Sequence, residues 1–308
     1  MGLAETVMDR VVEPAVIGWH ARRGDPFARW MLPSAKADPY PLYDAARARG
    51  LVRSRLGPWV TASHATASAV LRDRRFSTSP AHRPGYAPPV FEPGDPRDGL
   101  PPDLLSLDPP DHARIRRLMS AAFTPRAVAA LEPAVRAEAA RLLDAAGPGP
   151  FDLIGALAFP LPVAVICHVL GVPAGDRDKF RAWARDLEAL LEPRTPWTAA
   201  RPAPAVESAV PAYMRGLVER RRADPDGSLL SALIAAQEDG DRLTTGELVA
   251  AAQLVLFAGF VTTVNLIGNG AAALLSQPGR EQCGPWRPTR PSRPARSRNC
   301  SATTARSS

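Results

Sequence analysis

The chain has 308 residues, three cysteines and a net charge of +7. That length allows a buried core in one large domain or two. Three cysteines exclude a disulfide framework and favour a reducing compartment. The charge argues against nucleic-acid binding, because six arginines and one acid after Arg280 carry +5 of it, so the excess sits in a tail and not on a basic face. Glu5 and Asp9 fall where an export signal needs an apolar stretch, and a cytoplasmic protein is expected.

Residues 1–37 are punctuated by Pro and Gly and are expected to be irregular. Pro41 to Arg49 reads as a short helix closed by Gly50. LVRSRLGPWVTAS alternates and turns at Gly57-Pro58, the pattern of a small hairpin. His64 to Arg72 is a further short helix. Residues 77–107 form a long Pro/Gly-rich connection, a kind that is usually functional or mobile. Asp108 is a candidate N-cap for the helix that continues through ARIRRLMSAAF. Thr124-Pro125 starts the next helix, and Glu132-Pro133 restarts it.

Phe159 to Leu170 is an apolar helix, with Cys167 as a core residue and His168 partly exposed. Asp176 to Leu191 is amphipathic, and Glu192 to Pro204 is a Pro-rich connection. Val206 to Arg222 and Ser228 to Gln237 are helical, and Glu238 to Asp241 is a turn. The sequence therefore implies a mainly α fold with one small β element.

The uncharged run between Glu247 and Arg280 organises the rest. It is expected to be one long helix. Thr244 and Glu247 stand at capping-box spacing, and Gln277-Pro278-Gly279 ends it. A helix apolar all round is expected to be buried. Ala251, Ala258, Thr262, Asn265 and Asn269 fall on one stripe, with Gly259 beside it. Small residues let a flat, bulky group approach the backbone, and hydroxyls and amides offer it hydrogen bonds. Taken alone, the run also suits a plain core helix or, by length, a membrane span. Thr262, Thr263, Asn265 and Asn269 crowd its middle and no basic cluster flanks it closely, which argues against the membrane.

Two segments, LDPPDHARIRRLMSAAFTPR (107–126) and LVLFAGFVTTVNLIGNGAAALL (254–275), resemble the soluble bacterial type of the cytochrome P-450 haem-thiolate monooxygenases. GPWVTAS, DRRFSTS, LPVAVICHVLGVP and LLSALIAAQEDGDRLTTGEL fit the same family in the same order. The resemblance covers roughly residues 38–280. It implies a haem cofactor, a small organic substrate that receives one oxygen atom, and a ferredoxin-type electron donor, with no nucleic acid or membrane partner. It implies that His112 and Arg116 bind a haem propionate, which suits two donors four residues apart on one helix face. Ala258 and Gly259 would leave the oxygen groove and Thr262 would serve proton delivery. Leu254 and Phe257 would face substrate. One departure stands before Thr262: the family's acid is Val261, which carries no proton, so a slower or less coupled turnover is expected.

The family's E-x-x-R helix and the Phe/Gly-rich loop bearing its axial Cys have no match here. Cys283 lies in EQCGPW and Cys300 in SRNCSA. The expected fold is thus an incomplete cytochrome P-450 domain over 38–280, inactive as written, followed by a disordered tail over 281–308. Regrouping codons for Ala295 to Arg306 from the third base of Ala295, with permitted synonymous choices, spells AVEELLRYDSP. That string looks like the family's E-x-x-R helix, so a frameshift is expected between roughly Ser276 and Arg296. The alternatives are a non-catalytic helical ligand-binding or interaction protein, and a protein anchored in a membrane by residues 248–276.

Overall fold

Proline starts helices in this protein more often than it breaks them. The computed structural model describes residues 12–83, 85–88, 90–91, 94–191, 206–238 and 241–276. In it Pro14, Pro26 and Pro33 occupy the first turns of α1 (Glu13–Arg22), α2 (Pro26–Trp30) and α3 (Pro33–Ala37). A first-turn N–H has no intrahelical acceptor, so proline sacrifices nothing there. Residues 13–37 are therefore helical where the sequence suggests an irregular segment.

The described residues up to Ser77 form one compact unit, and those of 78–190 and 206–276 form another. The first continues with α4 (Tyr40–Arg49), the hairpin of β1 (Val52–Arg53) and β2 (Trp59–Val60), and α5 (His64–Arg72). Gly50 and Gly57, which close α4 and turn the hairpin, adopt φ of 71° and 110°, a region costly for any side chain with a Cβ. The strands pair antiparallel, Val52 with Val60 and Arg53 with Trp59. Asp25 holds this unit together. Its carboxylate caps α2 by accepting from Ala28 N at 3.0 Å, and it accepts from Ser54 Oγ at 2.8 Å and Arg55 N at 2.7 Å beside the hairpin. Ile17, Ala21, Ala28 and Leu56 supply the apolar contacts around it.

The second unit begins with the connection before α6 (Asp111–Ala122). Asp108 does not cap that helix, whose cap is Pro110. Its carboxylate instead accepts from Thr78 N at 3.0 Å and lies 3.3 Å from His82 Nδ1, tying the two ends of the long connection together. α7 (Pro125–Ala130) and α8 (Glu132–Ala146) follow, each with proline in its first turn. A π turn (Ile154–Ala158) leads into α9 (Pro160–Leu170), which Gly171 ends in the left-handed region. Then come α10 (Arg177–Leu191), α11 (Val206–Ala223) and α12 (Leu229–Ala235). The expected connection over 192–204 lies outside the described residues. A second two-residue ladder, β3 (Gln237–Glu238) and β4 (Asp241–Arg242), occupies the segment read as a turn. Strands of two residues are too short to carry an alternation signal.

The last described element, α13 (Thr245–Leu275), is the long helix. Its capping box is formed: Glu247 N donates to Thr244 Oγ1 at 3.2 Å and Thr244 N donates to Glu247 Oε2 at 2.8 Å. Leu248, Val249, Ala252, Leu256 and Phe260 enter one core with Leu118, Leu170, Phe180, Met214, Leu217 and Leu233. Burial all round, as expected from the sequence, holds only near the start, from Glu247 to Ala252. Full burial ends at Val261, and Leu266, Leu274 and Leu275 are 58%, 55% and 51% exposed.

Candidate functional site

The open face of α13 is a stripe. Ala258, Thr262, Asn265 and Asn269 are all exposed and lie on one side at helical spacing. Ala251, on the same stripe two turns earlier, is 4% exposed. Near that end the connection before α6 covers the helix. A Cβ on Gly246 would stand 2.9 Å from Pro101 Cδ, and Leu100, Leu104 and Leu107 pack against the core. Arg97 pairs with Glu207 at 3.2 Å, and Arg215 donates to the carbonyls of Pro96 and Asp98, fastening that connection to α11.

Thr262 Oγ1 donates to Ala258 O at 2.5 Å, and Thr263 Oγ1 donates to Gly259 O at 2.8 Å. These are bonds that helical threonines make to the preceding turn. They use each hydroxyl's proton. Gly259 meets α9: a Cβ there would lie 2.8 Å from Ile166 Cδ1. Its missing side chain thus admits Ile166, whereas Ala258 lies on the open side. Val261 is 9% exposed and belongs to the core. A carboxylate there would be desolvated, so valine suits the packing. Phe257 leans on the core and Leu254 is half-buried.

On α6, His112 is half-buried and Arg116 exposed. Neither side chain has a hydrogen-bond or ion-pair partner among the described residues. Arg114, two positions from each, lies about 200° round the helix from both. It bonds Asp241 at 3.1 and 3.2 Å and pairs with Glu247. Burial works against its charge, yet the two carboxylates hold its pKa above the usual guanidinium value. This clamp, which locks α6 to the start of α13, is not apparent from the sequence, where Glu247 serves only as a capping residue. The one signal for it is an acid at the head of a run with no other charge.

Cys167 is fully buried, and burial pushes its thiol up to about 12. It stays protonated and inward, as a core cysteine should. Cys283 and Cys300 lie outside the described residues. No cluster of His, Cys, Asp or Glu suited to a metal ion occurs among the described residues. Small side chains on α13 suit the face of a flat, apolar molecule, and an imidazole and a guanidinium one turn apart on α6 suit carboxylates. The residue of α6 that meets α13 is Arg114, on the other side of the helix from both.

A mainly α scaffold, built round one long helix with a threonine-bearing stripe of small residues, is the class that these features define. No protein-family model matches the chain. It is 41% identical over 251 residues to the vitamin D(3) 25-hydroxylase of Pseudonocardia autotrophica, covering 78% of this chain and 59% of the relative. It is 39% identical over 251 residues to the cytochrome P450 monooxygenase PikC of Streptomyces venezuelae, covering 79% and 57%. Among solved structures, ligand-free CYP164A2 of Mycobacterium smegmatis superposes with a TM-score of 0.69 at 38% identity, over 83% of this chain and 64% of that one. The chain belongs to the cytochrome P450 family, and it spans a little over half the length of the two curated relatives named here.

Proposed function

We propose that this scaffold serves a haem monooxygenase that inserts one atom of dioxygen into a small organic substrate. It would work in the cytoplasm with a ferredoxin-type electron donor. The observation that carries this reading is the exposed α13 stripe centred on Thr262, in a chain whose relatives are bacterial cytochromes P450. Haem, when bound, supplies the oxygen-activating iron.

The chain's own residues do the rest. His112 and Arg116 hold the propionates with charge-assisted hydrogen bonds. Ala258 keeps the approach to the helix backbone open, and Gly259 lets α9 pack behind it. Thr262 Oγ1 spends its proton on Ala258 O in the helix, so to serve proton delivery the hydroxyl would turn from that carbonyl and be resupplied by water. Val261 has no proton to pass on, so turnover would be slower and less coupled than with an acid. Leu254 and Phe257 line the substrate side.

As written, the chain lacks an axial thiolate in this reading and is inactive. Cys167 is buried and protonated. Cys283, in EQCGPW, and Cys300, in SRNCSA, do not match the Phe/Gly-rich loop of the family. The proposed cause is a frameshift between Ser276 and Arg296, which the nucleotide sequence past codon 276 tests directly. Titration of the 308-residue chain with haemin, followed by reduction and CO, tests the rest. The expected result is haemin binding weakened by His112→Ala and Arg116→Ala, without a thiolate-type carbonyl band. Appearance of that band refutes the inactive reading. Binding indifferent to both substitutions refutes the cofactor site.

A second reading has one observation in its favour. α13 is long and apolar enough to cross a membrane by length and composition. Its first half, however, contributes Leu248, Val249, Leu256 and Phe260 to a core shared with α9, α11 and α12. Co-sedimentation of the folded chain with lipid vesicles decides between the two.

A further inference from the structure

We propose that the second unit carries a separate ligand site: a cavity of about 430 Å³ between α7, α9 and α12 that takes a small amphiphilic carboxylate. No residue of α13 lines it, so it is distinct from the stripe around Thr262. Its size falls within the range of small-molecule sites. Phe123, Val128 and Leu229 contribute an apolar wall, and Arg177, Arg221, His168, Ser228 and the carboxylate of Asp226 contribute polar groups.

The two arginines set the chemistry. The Nε atoms of Arg177 and Arg221 are buried without a hydrogen-bond partner. Arg221 spends its Nη2 on Gly171 O at 2.6 Å and Asp226 at 2.9 Å, so its charge is balanced. Arg177 makes no direct ion pair among the described residues; it acts on Glu138 only at longer range, and Glu138 is itself paired with Arg141. A guanidinium whose buried Nε has no acceptor, beside an apolar wall, matches one carboxylate on an apolar body. The frame is fixed. Gly171 sits at φ +70°, where a Cβ would stand 2.8 Å from Asp226 Oδ2 and from Ser228 Cβ. Asp226 in turn accepts from Ser228 N at 2.9 Å and Ser231 Oγ at 2.8 Å. A concave, preformed, largely apolar cavity suits a small molecule better than the flat surface a macromolecule would need.

Calorimetric titration of the 308-residue chain with decanoate, and separately with 1-decanol, tests this without haem. Saturable binding of one decanoate per chain is expected. Binding should be weaker by at least about tenfold for 1-decanol and for Arg177→Gln, because each removes one partner of the charge pair. Arg177→Lys keeps the charge and should retain most of the affinity. Ala127→Trp adds bulk to the cavity lining without altering charge and should abolish binding, while Ala258→Leu on α13 should leave it unchanged. Far-UV circular dichroism confirms that each variant is folded. Absence of decanoate binding, equal affinity for 1-decanol, or affinity unaffected by Arg177→Gln or Ala127→Trp overturns the proposal. So does loss of binding in Ala258→Leu, which would place the ligand on the α13 face.

Discussion

The guanidinium of Arg114, on α6, pairs with the carboxylate of Glu247 in the first turn of α13. The same carboxylate accepts from Thr244 N at 2.8 Å, so one acid both caps the long helix and receives the clamp from α6. Asp241, at 3.1 Å, completes the arrangement. The consequence is that the helix bearing His112 and Arg116 is held in place by a residue between them that faces the other way.

Removing the clamp should loosen α6 before it unfolds the protein. Arg114→Gln is expected to cost about 1–3 kcal/mol, since Glu247 is left nearly buried without its cation. A double-mutant cycle with Glu247→Gln, followed by urea unfolding, should show coupling between the two positions. Additive losses would mean that the pair contributes nothing beyond its separate contacts.

Asp25 makes the first unit sensitive to acid. Burial opposes its charge, but hydrogen bonds from the backbone of Ala28 and Arg55 and from Ser54 outweigh it and hold its pKa below the usual carboxylate value. Its stabilisation is therefore fully present above the unfolded-state pKa, near 3.8, and is lost as pH falls through the lower folded value. Asp25→Asn should be less stable than the parent at pH 7, with the difference shrinking below about pH 4. Thermal melts at several pH values read this directly.

Cys167 should resist labelling. Its sulfur is buried and its thiol is pushed up to about 12, so thiolate is scarce at pH 8. Mass spectrometry after brief treatment of the native chain with maleimide should find the Cys167 peptide unmodified. The same peptide should be fully modified once the chain is unfolded in guanidinium.

Two glycines should respond differently to alanine. At Gly259 a Cβ meets only the flexible tip of Ile166 at 2.8 Å, and helix propensity favours alanine. The net change should stay within about 1 kcal/mol. At Gly171 the added Cβ meets Asp226 and Ser228, each at 2.8 Å, in a backbone at φ +70°. Gly171→Ala should cost at least about 1–2 kcal/mol. Chemical denaturation of both variants checks the contrast.

The second half of α13 should promote self-association. Leu266 and Leu274 are 58% and 55% exposed, and exposed apolar patches on a helix favour contact with other chains. The double substitution Leu266→Gln, Leu274→Gln should shift the light-scattering mass towards monomer while leaving the helical content unchanged.

Much of this architecture is local and therefore readable along the chain. Capping chemistry at Thr244 and Glu247, the Thr124-Pro125 start, Gly50, Gly57 and Gly171 at element ends, and the His64–Arg72 helix all depend on neighbouring residues. The order of motifs around His112, Arg116 and Thr262 likewise sufficed to point to the family. Two features depended on residues far apart in sequence, and one on a local signal that reads two ways. Helices over 13–37 arise because Pro14, Pro26 and Pro33 stand at helix starts, a position sequence alone does not distinguish from a break. Asp108 turned to Thr78 and His82 because the chain brought them back to it. Arg114 found Asp241 and Glu247 more than a hundred residues on. What the sequence determined by itself was most of the helices after Pro39 and the pattern of residues on their faces, since both follow from spacing and capping. Which half of α13 is buried, and which charges close on one another, was decided only by tertiary packing, because desolvation and ion pairing depend on neighbours that spacing along the chain does not specify.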